Sequence, residues 1–183
     1  RYVELNTENS DFVGWIKIDG THINYPVMKS STPDYYLHRN FNKKYSYYGT
    51  PYLSDKSDTM NPTDNIVIYG HNMRDNTMFG DLSKYKSKEF YEKHRYIHFD
   101  TLVDLGKYEI VCVFKTTPCK FDYQNYTVFD SSDEFNSYIS KCEESEYYNT
   151  DVSCGYGDKL ITLSTCEYCQ ENGRLVVVAK KVK

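Results

Sequence analysis

Three side chains in this sequence could together carry out nucleophilic acyl chemistry: Cys166, Arg174 and His71. Cys166 ends the segment 159–166 and Arg174 begins the segment 174–182, and both segments have the alternation and β-branched content of strands. A polar loop joins them, so we expect an antiparallel pair. If the chain folds back symmetrically about this loop, Cys166 lies directly opposite Arg174, with Cβ atoms about 4.5–5.5 Å apart.

A thiol beside a permanent cation gains stabilisation of its thiolate form. The same guanidinium could instead bind an oxyanion that develops during acyl transfer. His71 follows the compact strand 65–69 and Gly70, where a side chain can project from a rigid scaffold into a cleft and move protons. Each residue also has a purely structural interpretation: a small buried thiol, a loop histidine and a surface charge.

The elements that must position these residues are mostly strands. Residues 15–18 and 22–27 predict a hairpin about Asp19-Gly20, and residues 52–54, 65–69, 96–99 and 107–114 predict further strands. Caps at residues 9–11 favour a short helix through Trp15, residues 77–92 favour one or two helical pieces, and residues 131–146 favour a longer helix. The sequence therefore predicts a mainly β fold, a barrel or sandwich with helical insertions.

Length and charge narrow the class of protein further. The 183 residues predict one domain, residues 1–183. A net charge of −4 without a basic stripe argues against nucleic acid as a partner. The longest strongly apolar run, residues 175–179, is far below the ~20 residues that a membrane-spanning helix needs. The chain begins at Arg1 without a methionine, so we expect a preceding membrane anchor to have been removed.

Three motifs resemble those of one enzyme family. Thr162-Leu163-Ser164-Thr165-Cys166, followed by Arg174, resembles the signature of the sortases, and residues 65–73 resemble the segment that carries their catalytic histidine. Residues 78–82, Tyr35-Tyr36-Leu37 and the hairpin of residues 15–27 are similar to class B members specifically. The resemblance covers nearly the whole chain.

The resemblance implies a closed β-barrel of about eight strands with an N-terminal helix, and a cysteine transpeptidase without cofactor or metal. By this resemblance Cys166 attacks the Thr carbonyl of a sorting motif (NPQTN-like or PxTG-like) in a secreted protein, and an amine of the peptidoglycan precursor resolves the thioacyl enzyme. His71 serves as general acid and then base, and Arg174 holds the substrate backbone and the oxyanion. Ser164, Thr165, Glu167 and Leu37 are expected to bind substrate. The expected location is the extracellular face of the bacterial plasma membrane, held by a single-pass N-terminal anchor.

Other functions stay open on the residues alone. Water could resolve the same thioester, which would make the protein a cysteine endopeptidase. Cys166-Glu167-Tyr168-Cys169 is a C-x-x-C, the motif of thiol–disulfide oxidoreductases, although no βαβ unit surrounds it. His71, Cys166 and Cys169 could contribute to a zinc site. A non-enzymatic wall-binding module would have a similar composition.

Overall fold

The computed structural model describes residues 2–167 and 171–183. Eight strands form a closed barrel in the order β1-β2-β3-β4-β7-β8-β6-β5, as expected for this fold class. The strands are β1 (Phe12–Lys17), β2 (Asn24–Met28), β3 (Tyr52–Leu53), β4 (Asn65–Tyr69), β5 (Tyr96–Thr101), β6 (Leu105–Thr116), β7 (Leu160–Glu167) and β8 (Gly173–Lys181). The β2–β3 and β4–β7 pairs are parallel, and the other pairs are antiparallel.

Short helices fill the connections between strands. The α-helices are α1 (Tyr2–Glu8), α2 (Lys88–Lys93) and α3 (Ser132–Glu143), and the 3₁₀ helices are Tyr35–His38, Gly80–Lys86 and Tyr123–Asn125. The helical pattern of residues 77–92 is thus confirmed as two pieces. The helix predicted over residues 131–146 is confirmed as α3, which starts after Ser131 because the Ser131 hydroxyl accepts a hydrogen bond from the Glu134 N–H at 3.2 Å.

The predicted helix over residues 9–15 is wrong. The N-terminal helix lies earlier, at α1, and Phe12–Lys17 is strand β1. Its residues alternate between buried and partly exposed, with Phe12, Gly14 and Ile16 buried, which is the period of a strand rather than of a helix. The capping-type residues 9–11 instead form the turn between α1 and β1.

The two faces of β7 and β8 pack in different parts of the core. Ile161, Leu163 and Val177 belong to the largest apolar cluster, whereas Leu160 and Val176 pack with α3 in a second cluster. The predicted alternation along β7 is therefore confirmed. Cys166 continues the Leu160 face, so the thiol lies on the side of the sheet that carries α3 and the Tyr123–Asn125 helix.

The predicted location, at the plasma membrane through a single-pass anchor, is contradicted. In residues 2–167 and 171–183 no helix is long and apolar enough to cross a bilayer. The location at the plasma membrane, which we expected from that anchor, is not retained.

A buried carboxylate, Asp81, ties the β1–β2 connection to the helix Gly80–Lys86. It accepts hydrogen bonds from the backbone N–H and the imidazole Nδ1 of His22, at 2.7 and 2.8 Å, and its other oxygen lies 2.7 Å from the Lys84 ammonium. Burial by itself would raise the pKa of Asp81, but the contacts from His22 and Lys84 outweigh it and lower that pKa. Ionised Asp81 therefore stabilises the fold.

This lowered pKa predicts a loss of stability in acid. The contribution of Asp81 is complete above the unfolded-state pKa of about 3.9 and is lost as the pH falls through the lower folded-state pKa. We expect Asp81→Asn to reduce the free energy of unfolding at pH 7 by about 1–3 kcal/mol and to flatten its decline as the pH falls below about 4. Urea denaturation at several pH values measures both effects. Asp130 is exposed, so Asp130→Asn serves as the control and should have the free energy of unfolding of wild type at pH 7. If Asp130→Asn lost as much stability as Asp81→Asn, a specific role for Asp81 would be contradicted.

Candidate active site

The parallel pairing of β4 and β7 brings His71 and Cys166 to the same end of the sheet. The last paired residues of the two strands are Tyr69 and Ser164. His71 and Cys166 each come two residues later along their strands. Because parallel strands advance together by about 3.3 Å per residue, both residues arrive at the same end of the sheet.

Two side chains join the strands where their backbone pairing ends. The Thr165 hydroxyl donates to the Gly70 carbonyl at 2.7 Å, and the Asn72 amide donates to the Cys166 carbonyl at 2.7 Å. The two bonds thus join the segment that carries His71 to the segment that carries Cys166. Asn72 was missed from the sequence, although its amide stands immediately after His71.

Gly70 is required by the packing behind His71. A Cβ atom at residue 70 would lie 2.6 Å from the ring of Phe79, a buried residue. The Phe79 N–H also donates to the His71 carbonyl at 2.8 Å. Residues 78–82, which are similar to class B members, thus have a physical role. Phe79 in this segment packs against Gly70 and binds the His71 carbonyl.

The predicted register of the last two strands is confirmed. Cys166 pairs directly with Arg174, within a regular antiparallel ladder from Leu160–Lys180 to Glu167–Gly173. Both Cys166 and Arg174 are half-buried. One guanidinium N–H donates to the Gly173 carbonyl at 2.9 Å, which holds the base of the planar group close to the strand.

The imidazole of His71 is oriented by a backbone carbonyl. Nε2 of His71 lies 2.7 Å from the Leu37 carbonyl oxygen. A carbonyl only accepts hydrogen bonds, so Nε2 carries the proton in this arrangement and Nδ1 is the nitrogen free to exchange one. The Leu37 side chain itself packs against the small apolar cluster that contains Tyr36 and Met28.

A cavity of about 490 Å³ opens at Cys166. Four of the predicted site residues, Ser164, Thr165, Cys166 and Arg174, lie in its wall, whereas His71 and Leu37 are absent from the lining as far as the structure describes it. Glu167 pairs with Gly173 through its backbone, and its side chain lies outside the described part of the chain. The rest of the described wall comes from Ser30, Thr32, Pro33, Asp34, Tyr35, Tyr36, Tyr52, Leu53, Ser54, Asp55, Lys56, Tyr69, Gly70, Gln124 and Asn125.

Two buried phenols border this region, and sequence reasoning identified neither. The Tyr123 hydroxyl lies 2.6 Å from the Ser164 hydroxyl, and the Tyr52 hydroxyl donates to Asp34 at 2.8 Å. Burial raises the pKa of both, although for Tyr123 the Ser164 hydrogen bond and the charge of Arg174 act in the opposite direction. Both phenols stay protonated at neutral pH. The segment around Tyr123 has no periodicity that would have singled it out.

The other described cysteines differ from Cys166 in their surroundings. Burial raises the pKa of Cys112 and Cys142 and brings that of Cys154 to about 11, so these thiols are neutral at pH 7. Cys119 is exposed. Cys169, the second cysteine of the C-x-x-C, lies outside the described residues. Within residues 2–167 and 171–183 no three His, Cys, Asp or Glu side chains are grouped to hold a metal.

Comparison with known proteins agrees with this barrel and site. The Sortase domain model matches residues 16–182. The chain therefore belongs to the sortase family.

Its relatives within the family are class B enzymes. Sortase B of Staphylococcus aureus is 35% identical, with all of this chain and 75% of that protein aligned, and Sortase B of Listeria monocytogenes is 35% identical over 98% of this chain and 73% of that protein. Among solved structures, a Staphylococcus aureus sortase B–substrate complex superposes with a TM-score of 0.92 at 35% identity, covering all of this chain and 84% of that one. Clostridium perfringens sortase B superposes at 0.92 with 32% identity and full coverage of both chains. The protein is a class B cysteine transpeptidase that attaches surface proteins to the cell wall, and the oxidoreductase and non-enzymatic functions are not favoured.

Proposed function

We propose that Cys166 is the nucleophile, His71 the proton donor and acceptor, and Arg174 the group that stabilises the oxyanion. The observation that carries this assignment is the direct pairing of Cys166 with Arg174, while the Cys166 carbonyl is bound by the residue next to His71. The residue that carries the thiol is thus paired with one that carries a permanent cation, and its backbone is bonded to the segment that carries an imidazole. No other described cysteine has this environment.

In the first half-reaction the Cys166 sulfur attacks the Thr carbonyl carbon of the sorting motif. The negative charge that forms on the carbonyl oxygen is stabilised by the guanidinium of Arg174, a half-buried residue of the cavity wall. As the sulfur attacks, Nδ1 of His71 takes the proton of the Cys166 thiol; the C–N bond then breaks, and Nδ1 passes that proton to the leaving amine. A thioester on Cys166 and a released C-terminal peptide are the products.

In the second half-reaction an amine of a peptidoglycan precursor attacks the thioester carbonyl. Nδ1 of His71 takes a proton of that amine, the C–S bond breaks, and the same proton passes to the departing sulfur, which regenerates the Cys166 thiol. The hydrogen bond from Nε2 to the Leu37 carbonyl keeps the imidazole in one tautomer through both steps. The endopeptidase reaction differs only in that water replaces the amine.

The protein binds substrates that carry a sorting motif. Ser164 and Thr165 shape the wall of the donor cavity, because their hydroxyls are engaged by Tyr123 and Gly70 and hold the strand beneath the substrate. Leu37 contributes through its carbonyl, and Glu167 follows the nucleophile. We assign the whole of residues 1–183 to one catalytic domain. An NPQTN-like or PxTG-like sequence is the proposed motif.

A peptide assay tests this function. Synthetic peptides with each motif are incubated with the enzyme and an amine acceptor, and mass spectrometry identifies the bond that is cut. We expect cleavage after Thr, a covalent adduct of the N-terminal fragment on Cys166, and a ligated product that increases with acceptor concentration. Cleavage at another bond, or an enzyme that never carries the fragment, would rule the mechanism out. A product distribution insensitive to acceptor would favour the endopeptidase.

A further inference from the structure

A basic, tyrosine-rich hairpin, residues 38–48, lies beyond His71 and outside the donor cavity. The ring of His38 is 5.4 Å from the ring of His71, and the ring of Tyr45 is 6.3 Å from that of His38. In the described part of the cavity wall no residue belongs to this hairpin. The proposed mechanism assigns it no role, although it adjoins the proton-transfer residue.

The hairpin is held in one conformation. Arg39 and Tyr45 form an antiparallel bridge, and the Ser46 N–H donates to the His38 carbonyl at 3.0 Å. At its base Gly49 has a φ of 61°, and a Cβ atom there would meet the Leu37 carbonyl oxygen at 2.4 Å. A ligand would therefore meet a preformed surface and would order few side chains on binding.

Its composition favours an anionic partner with apolar parts. Residues 38–48 include Arg39, Lys43 and Lys44 and no acidic residue, in a chain whose net charge is −4. Lys43 pairs with Asp11 at 2.9 Å, which leaves Arg39 and Lys44 as the cations offered to a ligand. Tyr45 and Tyr47 are 73% and 67% exposed. Exposed tyrosines next to cations suit a ligand that presents both carboxylates and apolar surface, since the phenol ring contacts the apolar surface and the cations pair with carboxylates.

We propose that the hairpin of residues 38–48 binds the acceptor substrate, a carboxylate-bearing cell-wall peptide whose free amine resolves the thioester. This inference rests on the proposed function, because it takes His71 as the base that accepts the amine proton. The donor fills the cavity beside Arg174, whereas the hairpin adjoins His71 outside that cavity and is therefore left for the acceptor. Lys44 pairs with acceptor carboxylates, and Tyr45 packs on the peptide.

Half-reaction kinetics test the proposal. Two acceptor series are made, one with an N-terminal triglycine amine and one with a diaminopimelate side-chain amine, each with free carboxylates and as the amide. For the series that wild type uses, we expect Lys44→Glu to raise the acceptor KM of the carboxylate form about three- to fivefold and to leave the KM of the amide form unchanged. Added salt should raise the same KM in wild type and have a smaller effect in the variant. Tyr45→Ala should raise KM for both forms.

Matched controls and the acylation rate separate this proposal from the proposed function. Lys88→Glu on α2 and Tyr156→Ala carry the same changes at other exposed positions and should behave as wild type. Three results would overturn the acceptor site. The KM could change equally in Lys44→Glu and Lys88→Glu, the hairpin variants could lose acylation, or the wild-type acyl-enzyme could transfer to neither series. A wild-type enzyme that forms no acyl-enzyme would instead overturn the mechanism on which it rests.

Discussion

Replacing Cys166 with alanine is expected to abolish cleavage and transfer of a sorting-motif peptide while the barrel stays folded. In the proposed mechanism the thiol forms the thioester, so its loss should lower kcat/KM by at least about 10³-fold. Cys166 is half-buried at the end of β7, and the bond that fixes its segment involves the backbone carbonyl, which alanine retains. Peptide cleavage followed by mass spectrometry measures the activity, and thermal unfolding measures the fold.

The same substitution at Cys119 supplies the control. Cys119 is an exposed thiol in the turn after β6, so Cys119→Ala should keep wild-type activity. The buried Cys112 and Cys142 would be poor controls, because truncating them would leave cavities in the second core cluster. Substantial turnover by Cys166→Ala would show that another group is the nucleophile.

Replacing Arg174 with alanine should have the second largest effect, a loss of about 10²–10³-fold in kcat. Arg174 pairs with Cys166 across β7 and β8, and in the proposed mechanism its guanidinium donates to the oxyanion of both tetrahedral intermediates. Arg174→Lys should recover no more than about tenfold, because an ammonium lacks the planar fork that can bind the Gly173 carbonyl and the oxyanion together. Single-turnover measurement of acyl-enzyme formation separates this effect from donor binding.

Arg95 offers a matched position for the Arg174 variants. It is exposed and stacks on the Tyr91 ring at 5.3 Å, away from the donor cavity. Arg95→Ala should therefore leave the acylation rate unchanged. A fully active Arg174→Ala enzyme would refute the oxyanion role, and full recovery by lysine would show that charge alone suffices.

Features that depend on near neighbours could be predicted from the sequence. The facing of Cys166 and Arg174 followed from one polar loop and the period of two along each strand, and the structure has that register. The strand Asn65–Tyr69 was likewise predicted with its observed bounds. At residues 9–15 the local pattern was misleading. The capping residues 9–11 favour a helix, whereas Phe12, Gly14 and Ile16 are buried at every second position, as in a strand.

Contacts between distant segments were decided only in the folded barrel. The parallel β4–β7 pairing brings His71 to Cys166 across 95 residues of chain, and neither strand specifies its neighbour by its own pattern. The Asn72–Cys166 bond and the buried Tyr123–Ser164 contact depend on that pairing and on the loop that follows β6. The sequence by itself thus determined one strand pair and its register, because these rest on local alternation. Tertiary structure decided that the segments carrying His71 and Cys166 lie side by side, because closing a barrel depends on packing summed over all eight strands.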